Sequence, residues 1–430
     1  MTRQKELNAA AMNAQSLDAA DPLQSFRSAF SFPQRADGGD TLYFCGNSLG
    51  LMHQSVKDAV NQVIEAWQDL AVEGHFVGER RWMTYHELLQ HGQAQLLGAR
   101  HSEVVTMNTL TVNLHLAMIS FYRPHGRRCQ VLMEKQSFPS DRYAVESQIR
   151  LHGLDPADCL VELEPPAGAR IIDESQIESY LQRHGDRVAL ILWPGVQYAS
   201  GQVFDLPRIG EAGRRAGAAV GFDLAHAIGN VPLALHDSEC DFAIWCTYKY
   251  LNAGPGSVAG MFVHERHAGR TNLPRFHGWY GNARASRFKM APEFDPAAGA
   301  DAWQLSNPPI LSMAPLLASL QVFADAGFDR LRKKSLAMTA WLAGRIQSEL
   351  GAILEIVTPL EPQRRGCQLS LRVRAGREQG RRLFEHLERS GVLPDWREPD
   401  VIRVAPVPLY NSYQDCDQLV RIMADYAATN

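Results

Sequence analysis

A carboxylate and an amine, 26 residues apart, close two apolar runs: Asp223 ends AAVGFD at 218–223, and Lys249 follows DFAIWCTY at 241–248. Charged side chains are rarely buried without a partner. Ligands of open α/β sheets bind outside the carboxyl ends of strands, which is where Asp223 and the following Leu224-Ala225-His226 stand. An aspartate there also suits an ordinary helix cap. Lys249 precedes the glycine-containing loop LNAGPGS. A lysine so placed either reaches out to solvent or is desolvated, and a desolvated lysine is the nucleophile of Schiff-base chemistry. A third feature is Asn108-Thr109-Leu110-Thr111, which brings hydroxyls and backbone N–H groups to the start of an apolar helical run. Such a turn holds an anion or simply caps the helix.

Taken together, the three suit an aldehyde cofactor with a phosphate and a pyridine ring. The lysine takes the aldehyde, the carboxylate keeps the ring nitrogen protonated, and the helix start takes the phosphate. Phe138, in QSFPSD, offers a ring to stack on the pyridine face. The cofactor indicated is pyridoxal 5'-phosphate.

Other chemistries fit less well. Gly46-Asn47-Ser48-Leu49-Gly50 matches the G-x-S-x-G pattern, but only 47 residues precede Ser48, too few for the strands and oxyanion loop of that hydrolase fold. His86-Glu87 is followed by His91, the wrong spacing for H-E-x-x-H, so no metal site is expected. A formal net charge of -4 argues against a nucleic-acid or polybasic membrane partner. Seven scattered cysteines without a C-x-x-C pair point to a reducing compartment. The N-terminus lacks a long apolar core and no apolar run approaches a membrane span, so a cytoplasmic protein is expected.

The elements that must position these residues follow from periodicity. Val56, Val60, Val63, Ile64, Trp67 and Leu70 share a helical face over 54–72. EVVTM at 103–107, VALILW at 188–193, AAVGFD, DFAIWCTYK and SVAGMFV at 257–263 read as short buried strands, and PRIGEAGRRAG at 207–217 as a helix between two of them. Apolar strands alternating with helices predict an α/β fold with a largely parallel sheet covered on both faces. From about 310 a long helical region broken near Gly327 leads to strands and helices of a smaller α/β unit. The expected division is an N-terminal segment 1–50 packing with the small domain, a large cofactor-binding domain 51–310, and a C-terminal domain 311–430.

The segments GNSLGL, MNTLTVNLHL, FPSDRYAVESQ, VGFDLAHAIGNV, WCTYKYLNAGPG, GWYGN, RFKM, SNPPIL, RGCQL and IRVAPVPLYNS, from about residue 43 to 413, resemble the kynureninase family. The resemblance implies a fold-type I pyridoxal-phosphate enzyme with a mostly parallel seven-stranded sheet, acting as a homodimer with shared active sites. The implied reaction is hydrolysis of L-kynurenine, or its 3-hydroxy form, to anthranilate and L-alanine in tryptophan degradation, with a possible link to NAD biosynthesis. It implies that Lys249 bonds the cofactor aldehyde, Asp223 its ring nitrogen, and Phe138 its ring face. Leu110, Thr111, Tyr248, Trp279 and Asn307 would hold the phosphate region, the last two from the partner subunit. Asp141 and His226 would lie near the cofactor, and Tyr248 would relay a proton. Arg403 would clamp the substrate α-carboxylate, although a strand arginine equally suits a structural ion pair. Ser48, His75 and Asn307 would border the substrate ring. Pro194 stands where relatives also carry serine. Another fold-type I enzyme, a cysteine desulfurase or an aminotransferase, is the rival reading, and the segments GNSLG, GHFVG and SNPPI discriminate against it.

Overall fold

In the computed structural model, which describes residues 13–270 and 272–429, seven strands form the central sheet. They are β1 (Val104–Thr106), β2 (Gln130–Glu134), β3 (Leu160–Leu163), β4 (Val188–Pro194), β5 (Ala219–Asp223), β6 (Phe242–Trp245) and β7 (Gly260–Val263). Their spatial order is β1-β7-β6-β5-β4-β2-β3. The run from β6 to β3 is parallel, and β7 is antiparallel to both β6 and β1. Helices cover both faces, so β4 to β7 are apolar and buried along nearly their whole length. The carboxyl ends of β2, β4 and β5 carry Glu134, Pro194 and Asp223, and Pro194 and Asp223 are paired in register.

The amino end of the sheet is tied by Glu103. Its buried carboxylate accepts from the backbone N–H of Arg100, the N–H of Glu265 and His236 Nδ1, each at 2.9 Å. These bonds join the start of β1 to the end of β7 on the side away from the carboxyl edge. With its carboxylate oxygens so engaged, this trio with neighbouring His264 reads as a structural clasp.

A second sheet of four antiparallel strands has the order Leu354–Ile356, Leu369–Val373, Val401–Val404, Asp395–Arg397. Its core includes Met338, Leu342 and Ile346 from the helix Phe328–Leu350 and Leu419, Val420 and Met423 from the helix Tyr413–Thr429. Ala14, Leu42 and Phe44 join that same core, and Leu42–Tyr43 pairs parallel with Val392–Leu393. Asp18 accepts from the backbone N–H groups of Tyr413 and Gln414. The expected N-terminal segment begins with residues 1–12, which lie outside the described residues.

The helix Ile310–Ala326 falls on the C-terminal side of the expected 310/311 division, yet its apolar residues Met313, Leu316 and Phe323 pack in the core of the large sheet. It bends by 77° into Phe328–Leu350 at Gly327. Among the described residues no single helix is long and apolar enough to cross a membrane. The helix Gln54–Leu70 buries Val56, Ala59 and Val63, but leaves Trp67 at 62% exposure, so its expected apolar face is only partly covered.

Candidate active site

A pocket opens at the carboxyl edge of the large sheet, lined by residues from β2, β4, β5, the loop after β6 and two helix starts. Asp223 ends β5 as expected, and one of its oxygens accepts from Ala225 N–H at 2.7 Å. Lys249 differs from its expected position. β6 stops at Trp245, and the lysine stands in the loop beyond it, where the Lys249 carbonyl accepts from Asn252 N–H. The extended backbone ends where pairing with β7 ends, which frees the loop to turn its side chains into the crevice.

Lys249 Nζ lies 3.0 Å from His226 Nε2 and 5.7 Å from the centre of the Phe138 ring. Burial, with the Lys249 and Arg403 charges adding to it, holds His226 well below its ordinary pKa. Its imidazole is therefore neutral, and its Nε2 accepts from the lysine. Its Nδ1 is buried without a partner.

Asp141, on the helix Pro139–Leu151, lines the same pocket as Asp223. Burial, then the Asp223 carboxylate, raises Asp141 well above the usual range, with Lys249 opposing. That environment favours the protonated form of Asp141. Asp141 Oδ1 remains without a partner. Tyr248 lines the same wall, and burial pushes its phenol up, keeping it protonated.

Opposite these acids, two helices begin at the pocket. The helix Leu110–Phe121 follows Thr109 and the helix Pro139–Leu151 follows Phe138, and neither start has a side-chain cap. Thr111 Oγ1 meets Ser140 Oγ at 2.8 Å between them. Asn108, at φ 51°, makes the sharp entry turn and donates to Asn113 Oδ1 at 3.0 Å. First-turn N–H groups and aligned peptide dipoles from two helices are suited to an anion.

These residues fit pyridoxal phosphate on observations of the pocket itself. An uncapped pair of helix starts would hold the phosphate, Asp223 would take the ring nitrogen, and Phe138 offers a ring face with the lysine near it. Orphaned buried atoms on Asp141 and His226 are the mark of a site that a polar ligand completes. The spacing argument did not single out Glu134, Ser137, Ser140, Gln197 or Tyr198. Glu134 and Ser137 present buried unpartnered oxygens, and Tyr198 sets its ring edge-on to Phe138 at 5.4 Å. Ser140 lay within the quoted FPSD, so its hydroxyl at a helix start was a usable signal. Glu134 ends the strand Gln130–Glu134, with no motif around it to mark it.

The remaining expected residues do not line this pocket. Arg403 is buried beside it, donating from Nη1 to the Tyr198 carbonyl at 2.7 Å and from Nη2 to Asp395. Ser48 sits in the turn after Cys45, and Gly50 N–H of that loop donates to the Tyr248 carbonyl at 2.8 Å. Both glycines of GNSLG are required by contact. A Cβ on Gly50 would lie 2.4 Å from the Lys249 carbonyl oxygen, and one on Gly46 would lie 2.2 Å from the Tyr410 hydroxyl. His75 packs edge-on against Trp82 at 5.2 Å. Trp279 donates to the Arg287 carbonyl at 3.1 Å, and Asn307 is exposed. His75 and Trp279 share one surface cluster through Phe76 and Phe288, with ring centres 5.3–6.1 Å apart along the chain of contacts.

The sheet order and the lysine–aspartate pocket at its carboxyl edge define a fold-type I pyridoxal-phosphate enzyme. Solved structures agree on the fold. A C-DES variant with glycine covalently linked to the PLP cofactor superposes with a TM-score of 0.76 at 17% identity, covering 90% of this chain and 96% of that one. The apo cysteine desulfurase of Thermococcus onnurineus NA1 gives 0.74 at 14% identity, covering 98% and 100%. Sequence goes further. The family described as the kynureninase C-terminal domain matches residues 331–423. The kynureninase of Stenotrophomonas maltophilia is 57% identical over 96% of this chain and 98% of its own. That of Xanthomonas campestris pv. campestris is 56% identical over 97% and 98%. The chain belongs to the kynureninase family.

Proposed function

We propose that this chain uses the Lys249 pocket to hydrolyse L-kynurenine, and by extension its 3-hydroxy form, to anthranilate and L-alanine. The observation that carries the reading is Lys249 set beside His226 and Phe138 in a pocket that Asp223 and Asp141 also line. The reaction belongs to tryptophan degradation in the cytoplasm, where its products can also serve NAD biosynthesis. Pyridoxal phosphate supplies the electron sink that stabilises negative charge at the substrate α-carbon.

The chain's own residues do the rest. Lys249 Nζ would hold the cofactor aldehyde, and its amine is placed to move the substrate α-proton. His226 Nε2 accepts from Nζ and orients it. Asp223, beside Asp141, would offer its carboxyl group to the ring nitrogen. Leu110 N–H, Thr111 and Ser140 would hold the phosphate. Tyr248, protonated and next to Lys249, passes a proton at the departing carbon. Arg403 binds the α-carboxylate through guanidinium hydrogens not used by Tyr198 and Asp395. Ser48 borders the aromatic end. Anchoring both ends reduces the entropy lost in reaching the reactive geometry.

The protein works as a homodimer in this reading. His75, Trp279 and Asn307 face away from their own pocket and complete that of the partner. The support is the exposed aromatic surface that His75 and Trp279 share, since contiguous exposed apolar patches of this kind mark interfaces. Against a cysteine desulfurase, no cysteine among the described residues lines the pocket. The test is direct: the purified protein with pyridoxal phosphate and L-kynurenine should release anthranilate and alanine in equal amounts. A protein that binds cofactor yet releases neither overturns the reading.

A further inference from the structure

Beside the pocket, buried polar groups from three parts of the chain converge on one carbonyl. Asn47, immediately before Ser48, donates from Nδ2 to Gln368 Oε1 at 2.8 Å. Gln368 donates from Nε2 to the Tyr198 carbonyl at 3.1 Å and to Ser370 Oγ at 3.0 Å. That carbonyl also accepts from Arg403 Nη1 at 2.7 Å. Asn47, Gln368 and Arg403 are 0%, 1% and 1% exposed. The two donors use both lone pairs of the Tyr198 oxygen. The amide of Gln368 has one permitted orientation. Flipped, its NH2 would face the Asn47 NH2 and its oxygen would face the Tyr198 oxygen.

A buried amide costs stability unless it is hydrogen-bonded, and Gln368 is matched at both its oxygen and its nitrogen, whereas a residue needed only for packing here would be apolar. The arrangement instead joins two places that the proposed reading assigns to opposite ends of the substrate. Asn47 sets the turn that carries Ser48, at the aromatic end. Arg403 stands at the α-carboxylate end. We propose that Gln368 is a positioning residue that fixes the separation of these two ends, with Asn47 and the Tyr198 carbonyl as the other members of the link. The proposal rests on the reading that Ser48 and Arg403 border substrate. It has a distinctive consequence. A ligand spanning both ends feels the link, whereas a ligand filling one end does not.

The experiment uses the holoenzyme and three ligands: L-kynurenine, anthranilate for the aromatic end and L-alanine for the carboxylate end. Gln368→Ala should raise KM for kynurenine about tenfold with kcat within about twofold, the pattern of lost uniform binding. The inhibition constants of anthranilate and alanine should each move by less than about twofold, and the visible absorbance of the bound cofactor should not change. Asn47→Ser cuts the same link from its other side and should reproduce this split. The double variant should be no worse than Gln368→Ala alone, because the Asn47–Gln368 bond is already lost there. Asn47→Ser also carries the test if Gln368→Ala does not fold. An unchanged KM in the folded variants overturns the proposal, and so do inhibition constants that rise as far as KM. Arg403→Lys separates the underlying reading. If it leaves both KM and alanine inhibition unchanged, Arg403 does not hold the carboxylate and the link has no substrate to span. If it raises both while Gln368→Ala changes nothing, the reading survives and the link falls.

Discussion

Lys249 owes its surroundings to residues far from it in sequence. His226 accepts from its amine and Phe138 lies beneath it. Lys249→Ala should remove the visible absorbance of the lysine-bound cofactor and lower anthranilate release by about 10³-fold or more, since both the bond and the proton carrier are lost. Wild-type turnover in that variant would refute the role. Glu134 yields a prediction for the cofactor-free protein. Burial raises its carboxyl to about 8, with a Gln197 hydrogen bond opposing. A folded pKa above the unfolded one means the native state holds a proton that the unfolded chain releases. Stability therefore falls as pH rises from about 4.5 to about 8, by something on the order of a few kcal/mol. Glu134→Gln keeps the shape and removes this contribution, while Asp141 retains a similar one. Denaturant midpoints at pH 5 and 8 should therefore differ less in the variant than in the wild type. Equal pH dependence in the two proteins would show that Glu134 is ionised when folded.

At the scale of elements, the loop GNSLG is a brace for the lysine loop. Gly50 N–H bonds the Tyr248 carbonyl, and a methyl group at Gly50 would overlap the Lys249 carbonyl and the Asn252 side chain. Gly50→Ala should therefore destabilise the protein by about 1–3 kcal/mol, in the range of overpacked contacts. It should also weaken cofactor binding, because the displaced carbonyl belongs to Lys249. Cofactor titration and a thermal midpoint check this together. A variant with an unchanged midpoint and cofactor affinity would show that the contact relaxes without consequence.

At the scale of the whole molecule, the unpaired aromatic surface makes a prediction about assembly. Phe76 and Phe288 are 50% and 56% exposed and link His75 to Trp279 through ring contacts. If this surface completes a partner's pocket, mixing Lys249→Ala with Trp279→Ala subunits should recover activity. Random reassortment puts both lesions in one shared site and leaves the other intact. Recovery should reach about a quarter of wild type, since about half the dimers are mixed and each has one intact site of two. No recovery in mixed dimers, confirmed as such by native mass spectrometry, would place Trp279 in its own subunit's site.

Several features were readable without coordinates because they follow from local chemistry. Apolar runs ending in Asp223 and preceding Lys249, the helix beginning at Leu110 and the break at Gly327 are set by residue type and periodicity over short stretches. The lysine–aspartate–helix-start combination thereby indicated the cofactor, and the long motifs indicated the family. Other features depended on folding. Asp141 favours its protonated form because the helix Pro139–Leu151 carries it into the pocket that Asp223 lines, where burial penalises its charge. Ser48 was already excluded as a nucleophile by its place in the chain, and folding added that the turn holding it braces the lysine loop. Glu134 and the Gln368 link were hidden, since a glutamate at a strand end and a glutamine in RGCQL are ordinary surface residues by composition. Sequence alone determined which groups the chain has for its chemistry. The tertiary structure decided their protonation and their partners, because desolvation and hydrogen-bond matching act only between groups that folding brings into contact.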